Sequence, residues 1–177
     1  MSKSDDAQKE KKVEECTQEA EHMLTPRNMR ALIFHFLYAM ESFVYETSLE
    51  SIIDNVSRGF DLSVDPSNEL VKKTQAIIDE REWLDNELEP LLANWRLERL
   101  SVITRLILRI ALWELKYTDL APSIIINEAV ELAKCFGESD SYRLVNGVLD
   151  EWISIHEEPS DQETEDKESV EDNLEQD

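Results

Sequence analysis

Glycine is nearly missing from this chain, with three residues in 177. Tight two-residue hairpin turns lean heavily on glycine, and no segment alternates apolar and polar residues as a half-buried strand does. An all-α protein is the expected fold class. Cysteine is as scarce: Cys16 and Cys135 stand far apart, in no metal-binding spacing and in no disulfide framework, which predicts a reduced, cytoplasmic protein. No apolar run reaches the roughly 20 residues that a bilayer needs. The opening stretch MSKSDDAQKEKKVEEC has no apolar core of a signal peptide. Neither a membrane span nor export is expected. Catalytic signatures are lacking too: no nucleophile has a base at recognisable spacing, no glycine-rich loop could cradle phosphate, and no His/Cys cluster fits a metal. The expectation is therefore a non-enzyme without cofactor or metal.

Positive charge is also in short supply. Eighteen Lys and Arg face forty Asp and Glu, a formal net charge of −22, and such a chain repels nucleic acid and acidic membranes at long range. The charge is unevenly spread: net −3 over residues 1–25, −9 over 26–156 and −10 over 157–177. The last stretch has no apolar run that could offset the entropy of ordering, so residues 157–177 are expected to be a disordered acidic tail that adds nothing to the core. Residues 1–24 read as an acidic extension, partly helical or disordered, with Val13, Cys16, Ala20 and Met23 three or four apart. The domain proper is expected over 25–156.

What the chain does have is one segment that is apolar nearly all round, Ser101 to Tyr117 (SVITRLILRIALWELKY). A helix of that pattern, too short to span a membrane, is a buried hub for other helices. Arg105, Arg109 and Lys116 share a stripe of it that is expected to reach water or a ligand. Ahead of the hub, Thr25-Pro26 reads as a helix start. The stripe Met29, Leu32, Ile33, Phe36, Leu37, Met40, Phe43 and Val44 follows. Thr47 to Glu50 matches a capping box, opening a second helix that ends near Gly59. Asp65-Pro66 opens a third, whose stripe from Leu70 to Leu92 could break near Trp83 or at Pro90. Trp95 and Leu97 are expected to pack beneath a short link. Beyond the hub, Ser123 is expected to cap a helix closed by an αL glycine at Gly137. Asp140 or Ser141 caps the last helix, where Gly147 is expected to admit a close neighbour. Six or seven helices are predicted.

Four stretches in the second half then carry a resemblance: Leu108-Arg109-Ile110-Ala111 with Glu114; Ile126-Asn127-Glu128-Ala129; Glu131-Leu132-Ala133-Lys134 with Phe136-Gly137; and Val145-Asn146-Gly147-Val148-Leu149-Asp150. In this order and spacing they resemble the bacterial NusB transcription antitermination family. Arg27, Arg30 and Leu37-Tyr38 extend the resemblance more loosely toward the N-terminus, so that it covers about residues 26–153. It implies two packed helical bundles, no catalytic activity, and a heterodimer with the small-subunit ribosomal protein NusE. That pair binds boxA-type RNA of ribosomal RNA leaders within an RNA polymerase antitermination complex. The resemblance further implies that Arg27, Arg30, Arg105, Asp140 and Arg143 lie on the RNA side, and Tyr38 and Thr104 on the partner side. Self-association into a homodimer stays open. With few arginines and an acidic N-terminal extension, a second reading stands beside the first: a NusB-fold interaction module that has lost most RNA binding. From the residues alone, each of these side chains also has a simpler use, as an N-cap (Asp140), core packing (Tyr38) or surface ion pairing, with Glu114 and Glu128 meeting Arg109 or Lys134.

Overall fold

Thr25 opens helix α1 (Pro26–Ser42) by accepting a hydrogen bond from the Asn28 amide at 3.2 Å, with proline in the first turn. A computed structural model describes residues 25–60, 68–92 and 96–156; the expected N-terminal extension and acidic tail, Asp65-Pro66 and Trp95 lie outside the described residues. Helix α1 buries Ile33, Phe34, Phe36, Leu37 and Met40. It ends in a corner where Val44 (φ 52°) and Tyr45 (φ 58°) are both left-handed. For non-glycine residues that conformation costs roughly 1–2 kcal/mol each. The corner turns the Tyr45 hydroxyl back to donate to Glu41 at 2.7 Å.

Helix α2 (Leu49–Phe60) is capped by Ser48, whose hydroxyl accepts from the Ser51 amide at 3.3 Å. The capping box expected at Thr47 is thus displaced by one residue. Asn68 caps α3 (Glu69–Asp79) by accepting from the Leu70 amide at 2.9 Å. The long stripe does not continue as one helix to Trp83: it breaks at Glu80, ahead of α4 (Arg81–Leu88). The break lets α3 pack against α1 and α4 pack against the hub, with Leu70 and Ile77 of α3 and Leu84 and Leu88 of α4 all buried. Pro90 falls in a 3-10 turn over Glu89–Leu92, and a second such turn, Leu97–Arg99, leads to the hub with Leu97 buried.

The hub, α5 (Val102–Tyr117), is capped by the Ser101 hydroxyl and packs against α1, α3, α4 and two helices that follow it, α6 (Pro122–Phe136) and α7 (Ser141–His156). Leu106, Ile107, Leu108 and Leu112 are fully enclosed, each 0% exposed. Helix α6 begins with proline behind Ala121, so Ser123, expected as its cap, sits inside the first turn instead. Helix α7 closes the fold against α6 and the hub. Seven α-helices and no strand occur among the described residues, with α1–α3 forming one bundle and α5–α7 a second.

The glycines at 137 and 147 both behave differently from expectation. Gly137 is extended rather than left-handed (φ −87°, ψ 178°). Glycine is required there because a Cβ would meet the Ala133 carbonyl at 2.7 Å and collide with the Ser141 hydroxyl. Gly147, by contrast, admits no close neighbour: a Cβ there would meet nothing within 4 Å. Gly147→Ala is accordingly expected to raise stability by up to ~1 kcal/mol through helix propensity alone. Urea titration checks this, and a loss of stability would mean that the helix needs its glycine for a reason other than space.

Candidate nucleic-acid interface

Arginine carries charge at every pH of interest, so a buried arginine in this acidic chain has to find a carboxylate. Two do so, at different levels of the hub. At the C-terminal end Arg30 of α1 donates through Nε to both oxygens of Glu114, at 3.0 and 2.7 Å, and its Nη1 lies 3.7 Å from Glu128 of α6. The Arg30 and Glu114 side chains are only 6% and 7% exposed. Midway along the hub Arg109 forks onto Asp85 of α4 with two bonds of 2.7 Å, and reaches Glu41 of α1 at 3.2 Å. Arg105 joins the same Glu41 at 2.6 Å. Burial alone would raise the Glu41 pKa, but the Tyr45 hydroxyl and the Arg109 and Arg105 guanidiniums outweigh it and hold the carboxyl below its ordinary value. These pairings run α1 antiparallel to the hub.

The charged stripe expected on the hub to reach water is therefore mostly covered. Arg109 is buried and Arg105 half-buried because α1 and α4 bring carboxylates to them. Only Lys116 emerges, 3.2 Å above the Trp83 ring. Arg30 likewise lies in the core rather than at the surface. Glu114 and Glu128 meet Arg30 rather than Arg109 or Lys134.

Arg27, Asp140 and Arg143, all expected on the RNA side, do share one open face. Arg27 at the start of α1 is 54% exposed and pairs with Glu131 of α6 at 2.9 Å. Glu131 also takes Lys134 at 2.9 Å. Hydrogen bonds from Lys134 and then Arg27 hold its carboxyl below the ordinary range. Lys134 lies 5.8 Å from the centre of the Tyr142 ring, on the first turn of α7. Arg143 lies 5.6 Å from that ring on the same turn, donates through Nε to the Tyr142 hydroxyl at 3.1 Å, and stands 3.8 Å from Asp140. The hydrogen bond to Tyr142, with the nearby Asp140, strengthens the hold of the Arg143 guanidinium on its proton. The strip Arg27, Lys134, Tyr142, Arg143 thus combines exposed cations with one aromatic ring. Asp140 occupies the turn before α7 and is open to solvent. Sequence reasoning does not reach Lys134 and Tyr142 as site residues. The signal for them is an aromatic next to Arg143, with a lysine just before the Phe136-Gly137 turn.

Of the two residues expected on the partner side, Tyr38 is 45% exposed and Thr104 is buried, its hydroxyl paired with Ser101 at 2.9 Å. Phe43, Val44 and Val102 are also exposed. Glu41 on α1 and Arg105 on the hub join the two helices at this end, one turn beyond Tyr38 and one turn beyond Val102. A separate cleft of about 530 Å³ opens at the other end of the hub, lined by Pro26, Met29, Ile33, Trp113, Tyr117 and Leu120 among others. Among the described residues no group of His, Cys, Asp and Glu could hold a metal ion, and no helix is long and apolar enough to cross a membrane.

The NusB family model matches residues 27–154. The chain is 38% identical over 120 residues to the transcription antitermination protein NusB of Macrococcus caseolyticus, covering 66% of this chain and 87% of that protein. It is 37% identical over 134 residues to the same protein of Ligilactobacillus salivarius, covering 73% and 98%. Among solved structures, T. maritima NusB superposes with a TM-score of 0.63 at 30% identity, covering 76% of this chain and 94% of that one. The antitermination factors NusB and NusE in complex with double-stranded RNA give a TM-score of 0.60 at 21% identity, over 73% and 96%, a likeness of fold.

Proposed function

The chain belongs to the NusB transcription antitermination family, and from that premise we propose that it binds boxA-type RNA of ribosomal RNA leaders together with the ribosomal protein NusE, supporting RNA polymerase processivity. The observation that carries this reading is the strip of exposed cations around Tyr142, in a domain otherwise dominated by acid. Arg27, Lys134 and Arg143 are the groups placed to meet phosphates; Asp140 orients Arg143. Arg30 and Arg105 act through the fold, by fixing α1 against the hub. The domain's net negative charge makes its own affinity for RNA low, so a basic partner supplies the rest of the attraction. Exposed Tyr38 is the group offered to that partner, and Thr104 acts through the fold, buried and paired with Ser101 at the start of the hub.

Removing one cation from a phosphate should lower the slope of log affinity against log salt by roughly 0.7 for a single strand. The double variant Arg27→Ala, Arg143→Ala is expected to flatten the slope by about 1.4 and to weaken all RNAs alike. Binding of NusE should stay intact, responding instead to Tyr38→Ala. RNA titration of the heterodimer at several salt concentrations checks this.

A second reading, an interaction module with little RNA binding, is favoured by one observation: every cation on the strip already faces a carboxylate, Glu131 or Asp140. Coincident salt curves for wild type and double variant would make it the better one.

A further inference from the structure

We infer that Tyr142 is a nucleobase platform, on which one unstacked base of a single-stranded RNA lies flat while Lys134 and Arg143 take the phosphates on either side of it. The inference rests on the RNA-binding reading above and adds to it an interaction with a base rather than with the backbone.

Single-stranded RNA is held by two kinds of group, cations that track phosphates and aromatic rings on which bases stack. Exposed cations are spread over several elements of this fold, but an aromatic ring set between two of them on the strip occurs at Tyr142. The ring is half-buried and packs against the core, so it is held in place before any ligand arrives. A ring already immobilised loses little entropy when a base settles on it. The two cations lie 5.8 and 5.6 Å from the ring centre, near the outer limit of a cation–π interaction, on side chains 49% and 72% exposed. They are displaced from the ring at little cost and remain within reach of its edge.

Arg27 and Glu131 continue the strip from Lys134 toward the start of α1, which gives a strand leaving the platform a direction to follow. Gly137 contributes indirectly. Its missing side chain lets the first turn of α7 close against the end of α6, and that closure brings Tyr142 to Lys134.

The test uses the full chain with its ribosomal partner and a single-stranded boxA-type RNA in which each nucleotide in turn is replaced by an abasic one. Stacking on an aromatic ring amounts to roughly 5- to 150-fold in affinity per base. In the wild type, one position is expected to lose that factor when its base is removed. In Tyr142→Ala the intact RNA should bind more weakly by the same factor, the penalty at that position should vanish, and the salt slope should stay unchanged. Tyr142→Phe should behave as wild type. Tyr142→Leu, which keeps apolar packing but has no ring, should behave as Tyr142→Ala, and thermal melts of all three establish that they are folded. An abasic profile identical in wild type and Tyr142→Ala, with RNA still bound, would overturn this inference alone. Failure of the wild-type complex to bind the intact RNA at low salt would overturn the antitermination reading and this inference together.

Discussion

Arg30→Ala is expected to lower stability by about 3–5 kcal/mol, the cost of stranding one charge of a buried pair. Glu114 is 7% exposed and takes the Arg30 Nε on both its oxygens, while Glu128 stands 3.7 Å from the same guanidinium. Without the arginine, two carboxylates are left close together beneath α1 with no cation between them. Arg30→Lys should recover little, because an ammonium on a flexible stem cannot reproduce the planar fork. Arg30→Met combined with Glu114→Met should recover most of the loss, since it removes both nearly enclosed charges and leaves unpaired only Glu128, whose side chain is 25% exposed. Urea titrations of the wild type and the three variants decide the matter; a loss under about 1 kcal/mol for Arg30→Ala would mean that water reaches Glu114. The same measurement is needed before any loss of RNA binding in an Arg30 variant is assigned to a phosphate interaction.

Leu112→Ala should cost about 2–5 kcal/mol. Leu112 is 0% exposed, on a helix whose neighbours α1, α3, α4, α6 and α7 belong to both bundles. No single neighbour can collapse into the space without pulling away from the others, so the value should fall in the upper part of that range. Chemical denaturation is expected to show a lower midpoint with an unchanged dependence on denaturant. A change in that dependence would mean that one bundle unfolds apart from the other.

The hub was legible in the sequence because burial on every side leaves a local mark, an apolar run broken by few charges. The helix start at Thr25 was likewise written in its neighbouring residues. Less was legible where the cause lay far along the chain. Arg30 and Arg105 read as candidate RNA ligands from one helix each. Their carboxylates come from residues 84 and 64 positions away, and no spacing rule connects them. Gly137 looked like a helix terminator for its backbone freedom, whereas the need is for room beside Ser141. Tyr142 and Lys134 stand on different helices, and their proximity follows from the turn between them.

The Arg30–Glu114 pair also has a consequence for the order in which the protein is made. The two residues lie 84 apart in sequence. At 5–20 residues per second, roughly 4–17 s pass between the synthesis of the arginine and that of its carboxylate. Throughout that interval α1 has no hub to lie against, and Ile33, Phe36 and Leu37 have only α2 and α3 for cover. The hairpins of α5, α6 and α7, by contrast, join helices that follow one another directly, and such short-range pairings form quickly. The first-made bundle thus stays open until the hub emerges, and until then it is the part of the nascent chain that depends on protection from aggregation.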